Sequence, residues 1–327
     1  MAKLVTIFGG SGFIGRYVAR RMALDGWRVR VAVRRPNDAG FVRTYGNVGQ
    51  VEPVFCNIRD DESVRAVTRG ADAVVNCVGV LVESGKNSFE AVQAEAPGRI
   101  ARIAAEEGVA SLVQLSALGA DAGSASDYAR TKAAGEEAVL AAFPGAVILR
   151  PSVVFGPEDE FFNRFASMAT RGPVLPVVGG DTKFQPVFAD DVAAAAQLGA
   201  EGKAPGGIYE LGGPDVVTFR KLMEDMLQVI RRKRIVMNVP FGVGKLIGWV
   251  FDLIQKVTGG LLTNKVLTRD QVKNLKSDNV VSDGAKGFAD LGITPVACGA
   301  VLPSYLWRYR QSGQYSDIKN SARNLKI

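Results

Sequence analysis

Histidine is absent from all 327 residues. With it go every imidazole base, proton shuttle and imidazole metal ligand, and a Ser-His-Asp hydrolase is excluded outright. Cysteine is scarce and scattered. Cys56, Cys77 and Cys298 form no CxxC pair, so structural zinc, an iron-sulfur cluster and a disulfide scaffold all lack their sequence pattern, and no metal is expected. An uninterrupted hydrophobic run is missing too. The most apolar stretch, Phe241 to Leu262, is broken by Lys245, Asp252 and Lys256, which argues against a full membrane span and for an interfacial or partner-covered segment. There is no internal repeat, and the 37 glycines and 14 prolines are spread along the chain. The first strand-like run starts at Lys3; a chain without a signal or transit peptide, working in a reducing compartment, is the expectation.

What is present is an ordinary globular composition, 47% hydrophobic and 22% charged, long enough for one large or two modest domains. Lys and Arg number 40 against 33 acids, a net +7. That excess suits an anionic partner such as a phosphorylated cofactor, a phospholipid surface or an acidic protein, and it is too small to argue for nucleic acid.

The first half alternates β-rich runs with amphipathic stretches. Leu4 to Phe8, Val29 to Val33, Val51 to Phe55, Ala73 to Cys77, Leu112 to Leu115 and Val147 to Leu149 read as strands, and Tyr17 to Leu24, Phe89 to Glu107 and Tyr128 to Phe143 as helices. This rhythm predicts an α/β fold, a doubly wound parallel sheet with helices on both faces and a smaller mixed C-terminal domain. After Arg150-Pro151 the rhythm loosens, with isolated strands at Gln185 to Phe188, Ile208 to Leu211 and Ile235 to Asn238. The expected organisation is a nucleotide-binding domain over 1–155, a smaller substrate-like or docking domain over 156–302 interleaved with the core sheet, and a tail over 303–327. The tail carries Trp307, Arg308, Tyr309, Arg310, Lys319, Arg323 and Lys326 against one acid, Asp317; it is expected to stay mobile or to lie along a partner.

Strand Leu4 to Phe8 runs into Gly9-Gly10-Ser11-Gly12-Phe13-Ile14-Gly15, a GxxGxxG loop that opens a helix. Glycines allow the tight turn, the close approach of backbone to a pyrophosphate and the close packing of helix on strand, and the helix start holds the phosphates. About 20 residues further on, where an acid would grip the ribose 2′-hydroxyl of NAD, the chain has Arg34-Arg35. Guanidinium forks suit a 2′-phosphate, with Ser11 and Arg16 as further donors, so the cofactor expected is NADPH. By position, Asn57 and Ile58 would frame the adenine, and Val78 and Gly79 would admit the ribose and nicotinamide.

Tyr128 and Lys132 form a YxxxK pair, one helical step apart on one face. A neighbouring ammonium is expected to lower the pKa of the phenol, which could then exchange a proton with a carbonyl or alcohol while the nicotinamide exchanges hydride. Together with Leu149-Arg150-Pro151 and Phe155-Gly156-Pro157, these motifs resemble the extended or atypical short-chain dehydrogenase/reductase superfamily. The resemblance implies an orienting hydroxyl about two residues past Ser116, where this chain has Leu118. Ser116 is left as the substitute, and Tyr128, Lys132 and Ser116 serve either turnover or, the preferred reading, only the holding of cofactor, with Pro151 lining the same crevice.

Past residue 150 the likeness sharpens. Arg150 to Asp159, Phe162 to Phe165, Gln185 to Val192, Leu267 to Gln271 and Asp278 to Val281 resemble one branch of that superfamily, the NADPH-holding accessory subunits of respiratory complex I. The resemblance covers essentially the whole chain. It implies a tightly held NADPH without turnover, docking on core subunits of the hydrophilic arm near the membrane-arm junction, and support of assembly or stability. The implied location is peripheral, on the cytoplasmic face of the bacterial inner membrane or the matrix face of the mitochondrial one. The rival reading is a working NADPH-dependent reductase or epimerase of a small molecule or nucleotide sugar, and a weaker third is a soluble redox sensor.

Overall fold

The computed structural model describes residues 2–257 and 268–315. Six short strands and their crossovers fill the first half: β1 Leu4–Phe8, α1 Phe13–Leu24, β2 Arg28–Val33, β3 Val51–Phe55, α2 Asp61–Thr68, β4 Ala73–Asn76, α3 Ala96–Glu106, β5 Ser111–Leu115, α4 Asp127–Ala142 and β6 Val147–Pro151. The second half adds β7 Val154–Phe155, α5 Phe162–Arg171, β8 Val174–Val178, β9 Lys183–Phe184, β10 Val187–Phe188, α6 Ala189–Ala200 and β11 Gly207–Leu211. It continues with β12 Val217–Thr218, α7 Phe219–Val229, β13 Ile235–Val239, α8 Phe241–Val257, α9 Arg269–Asn274 and α10 Cys298–Leu306.

The main sheet has seven strands in the order β11-β6-β5-β4-β1-β2-β3. Its neighbours pair in parallel. Parallel pairing needs crossovers on both faces, so the central strands carry apolar side chains on both sides. Val5, Ile7, Val31, Val74, Val75 and Val113 are accordingly fully buried. One face packs on α1 and α6, the other on α2, α3 and α4. The strand order reverses between β1 and β4, and an open α/β sheet binds its ligand in the crevice at such a switch point. Strand β11 returns from the second half to lie beside β6, which interleaves the two halves.

The second half has its own core. Phe155, Phe162, Phe184, Phe219, Met223 and Met226 are buried there. Each such side chain contributes roughly 1.5–3 kcal/mol. Its strands form two-stranded pieces, of which β8 and β13 pair in parallel from Ile235↔Val174 to Val239↔Val178.

Three segments depart from the sequence reading. The stretch from Phe89 is not one α-helix: Glu90–Glu95 forms a π turn before α3. Pro97 has no N–H to give the Gln93 carbonyl, so the ladder shifts there, and Gly135 packs against that carbonyl so closely that a Cβ would stand 2.0 Å from it. Of Gln185 to Phe188 only Val187–Phe188 is strand, because Pro186 cannot donate to a ladder. The third is the start of the tail. Leu302, Tyr305 and Leu306 recur at helical spacing on α10 and bury into the second core, while Tyr305 Oη donates to Asp159 Oδ2 at 2.5 Å and Arg308 Nη2 to the Pro157 carbonyl at 2.7 Å. Residues 303–310 are therefore anchored to the chain's own second core, the apolar period outweighing the basic charge. The remainder of the tail, 316–327, and the end of the apolar stretch, 258–262, are outside the described residues. No helix among the described residues is long and apolar enough to cross a membrane.

Candidate functional site

The glycine loop leaves no room for substitution. Gly9 turns the chain at φ 71°, a conformation that favours glycine, and its N–H donates to the Ala32 carbonyl at 3.0 Å. A Cβ on Gly15 would stand 2.4 Å from the Gly9 carbonyl oxygen and 2.7 Å from Gly10 Cα. Gly12 is the N-cap of α1, which has no side-chain cap, so the first-turn N–H groups keep an opening for an anion. Phe13 packs its ring towards Gly156, and Ile14 leans on the core.

Around this loop the predicted residues fall in different places. Arg34 and Arg35 follow the end of β2 and are exposed; Arg35 is 3.9 Å from Asp38, and Arg34 has no ion pair among the described residues. Arg16 is occupied: it donates to the carbonyls of Gly12 and Ser11, each at 3.3 Å, and lies 3.3 Å from Glu158. It braces the loop. The Asn57 N–H donates to Ser63 Oγ at 2.9 Å and its Oδ1 accepts from Arg59 N at 3.3 Å, while Ile58 is partly buried against the core under α3.

On the other side of β1, Asn76 ties down the turn after β4. Its Oδ1 accepts from Val78 N at 3.1 Å and its Nδ2 donates to Gln114 Oε1 at 2.8 Å. A Cβ on Gly9 would come within 3.1 Å of Val78 Cγ2, and one on Gly79 within 3.5 Å of Lys132 Nζ. The glycine loop, Val78, Gly79 and the YxxxK helix thus line one crevice. Gln93 secures the same wall by donating to the Val80 carbonyl at 2.7 Å; its Oε1 is the buried side-chain atom without a hydrogen bond among the described residues.

Ser126 caps α4. Tyr128 sits edge-on to Phe89 with centroids 5.8 Å apart, and burial pushes its phenol up to about 12. The sequence expectation of a lowered phenol is corrected here: Lys132 Nζ is 6.0 Å from the Tyr128 ring centroid, and desolvation of the phenolate wins. Lys132 is 6% exposed and donates to the Leu115 carbonyl at 3.3 Å. Burial lowers it to about 8, opposed by Glu136. Cys77, beside it, is held as a thiol by burial, at about 12.

Ser116 does not face a substrate alone: its hydroxyl donates to buried Glu136. Arg150 binds that carboxylate in a fork, Nε to Oε1 at 2.9 Å and Nη2 to Oε2 at 2.6 Å, and approaches Glu210 at 3.6 Å. Leu118 is buried, its N–H donating to the carbonyl of Pro151 at 3.0 Å. Sequence reasoning missed Glu136, although its i+4 spacing from Lys132 puts it on the same helix face. It also left Asp270 without a role.

The residues fit a dinucleotide: a loop that admits backbone and nothing more, an uncapped helix start, exposed guanidinium groups past β2, and an ammonium against the Gly79 backbone. The profile of the NAD dependent epimerase/dehydratase family matches residues 5–212. The chain belongs to this family. The NADH dehydrogenase [ubiquinone] 1 alpha subcomplex subunit 9 of Arabidopsis thaliana is 37% identical over 95% of this chain and 79% of its own length. That likeness puts the chain in the complex I accessory-subunit branch of the atypical short-chain dehydrogenases/reductases. A ceramide reductase of Caulobacter vibrioides is 33% identical over 72% of this chain and 74% of its own length. In fold, the family member resembles an NADPH-dependent quinone oxidoreductase of Escherichia coli complexed with NADPH, with a TM-score of 0.70 at 18% identity over 92% of this chain and 98% of that one.

Proposed function

We propose that this family member is an accessory subunit of respiratory complex I that keeps NADPH as a structural element and does not turn it over. The observation that carries the reading is the fate of the hydroxyl at the end of β5. Ser116 gives its hydroxyl proton to Glu136 and Leu118 is buried, which supports a role without turnover, and the glycine loop, Gly79 and Lys132 offer a crevice in which a dinucleotide would fit. Bound NADPH would lay its pyrophosphate on the Gly9–Gly15 loop and the first turn of α1, its 2′-phosphate against Arg34 and Arg35, and its nicotinamide ribose near Gly79 and Lys132. Holding the folded state by mass action is then the cofactor's contribution.

The partners in this reading are core subunits of the hydrophilic arm near the membrane-arm junction, with a phospholipid surface next to them. Support comes from the outward faces of the second half: Ile235 and Met237 on β13, and Val243, Leu246, Trp249 and Val250 on α8, are exposed apolar side chains flanked by Lys233 and Lys245. The location is peripheral, on the face of the membrane that carries the hydrophilic arm. The test is detergent extraction of native membranes, purification of the respiratory enzyme and identification of its chains and nucleotides. Co-purification of this chain with about one NADPH per copy is expected. Recovery of the chain alone, with brisk NADPH oxidation on a carbonyl panel, would favour a reductase instead.

A further inference from the structure

Two carboxylates, far from the glycine loop in sequence, link α8 to α9 and α9 to the helix that carries Tyr128 and Lys132. Asp252 of α8 accepts the Arg269 N–H at 3.2 Å, at the start of α9. One residue on, Asp270 of α9 accepts three hydrogen bonds from the start of α4: Ser126 Oγ at 2.6 Å, Asp127 N at 2.9 Å and Tyr128 N at 3.2 Å. Lys273 of the same helix donates to the Ala125 carbonyl at 3.0 Å and lies 3.7 Å from Asp270. Helix α9 is itself fixed by a capping box between Thr268 and Gln271, and it packs on α8, where a Cβ on Gly248 would stand 3.0 Å from Arg269 N.

We infer that Asp270 is a positioning residue for the dinucleotide, setting the first turn of α4, and through it Lys132, according to how α8 and α9 are seated. The inference rests on the reading of the crevice as an NADPH site. Its physical basis is short. An α-helix is stiff along its axis, Tyr128 contributes its own N–H to the clamp, and Lys132 follows one turn later. A carboxylate at a helix start is held by both the N–H donors and the helix dipole. Any free energy that links the two places acts in both directions: a seated α8–α9 pair tightens NADPH, and NADPH tightens the seat of α8–α9. Since the apolar outer face of α8 belongs to the docking half, the clamp makes cofactor occupancy legible to the partner.

The experiment measures NADPH affinity, thermal stability and amide exchange for the full chain and its variants. Asp270→Ala should raise the NADPH Kd about fivefold or more, and should abolish the slowing by NADPH of exchange at residues 269–274. In a Lys132→Met background the same substitution should raise Kd no further, because the effect passes through Lys132. Should Asp270→Ala fail to fold, Asp270→Asn keeps the side chain's size while removing the charge that holds the two N–H groups and the Ser126 hydroxyl, and should show a smaller rise in Kd. A variant with lowered Tm but a Kd within about twofold of wild type overturns the inference and leaves Asp270 a structural tie. A wild-type chain that binds no dinucleotide overturns the cofactor reading itself, and this inference with it.

Discussion

The large sheet and the β8–β13 ribbon are made from the same aliphatic residues, yet only one of them is covered. Val31 in β2 has no exposed surface, whereas Ile235 in β13 is 69% exposed. In a two-stranded piece one face can point to solvent, and alternation should make that face polar. Here Val174, Ile235 and Met237 are exposed while Leu175 and Val177 are buried beneath them. The sheet's valines explain the fold; the ribbon's outward residues pack on no core among the described residues and are, in the proposed reading, part of the docking surface.

A matched pair of substitutions sharpens that contrast and carries the largest expected effect. Val31→Asp would bury an uncompensated carboxylate and should cost more than about 4 kcal/mol, enough to unfold the chain. Ile235→Asp should change stability by no more than about 0.5 kcal/mol in denaturant unfolding, yet together with Met237→Asp it should weaken attachment to the complex or to anionic vesicles. If Ile235→Asp unfolds the protein as Val31→Asp does, the ribbon is not an open face.

Next in size is the loss of the proposed 2′-phosphate contacts. Arg34→Ala with Arg35→Ala should weaken NADPH about ten- to a hundredfold, as removal of charge-assisted bonds of about 1.5–3 kcal/mol implies, and leave NADH nearly unchanged by titration calorimetry. Equal losses for both nucleotides would mean that the phosphate is read elsewhere.

A smaller effect separates the crevice from the surface by pH. Lys132 in the fold titrates near 8 against an ordinary 10.5, with burial as the cause and Glu136 and Cys77 as its charged or ionisable neighbours. Below about 8 both folded and unfolded chains hold the proton, and burying the ammonium costs about 3 kcal/mol. As pH rises from about 8 towards 10.5 the unfolded chain holds a proton the fold lacks, so this cost is progressively relieved. Cofactor affinity runs the other way. If the ammonium donates to the ribose, NADPH binding should weaken above about pH 8, by up to tenfold per pH unit, and Lys132→Met should flatten that profile. Cys77 stays a thiol over the range. A profile that survives Lys132→Met assigns the titration to another group.

Local chemistry made much of this legible. The glycine spacing, the βα rhythm and the i,i+4 pair each announce themselves within a few residues, and the glycine loop, Val78, Gly79 and Lys132 lie near one another in the fold. Contacts between distant segments have no such signature. Asp270 meets Ser126 across 144 positions and Tyr305 meets Asp159 across 146, so neither the clamp on α4 nor the anchoring of the tail's start could be read from spacing. The phenol's raised pKa escapes spacing for a related reason: a helix wheel shows the neighbouring ammonium but not the burial, and burial dominates.

The smallest expected effect is at Tyr128 itself, and its smallness is the point. The substitution Tyr128→Phe keeps the ring against Phe89, 5.8 Å between centroids, and removes a hydroxyl whose proton burial already retains, at about 12. A general base needs a pKa near the working pH, and a phenol held this high is a donor throughout. In the proposed structural role, with Ser116 donating to Glu136, loss of the hydroxyl would remove no step of a substrate reaction. Stability should shift by less than about 1 kcal/mol, and complex assembly and quinone reduction, measured on purified membranes, should be indistinguishable from wild type. A large fall in either, with NADPH still bound, would return Tyr128 to a chemical role and make the crevice a working one.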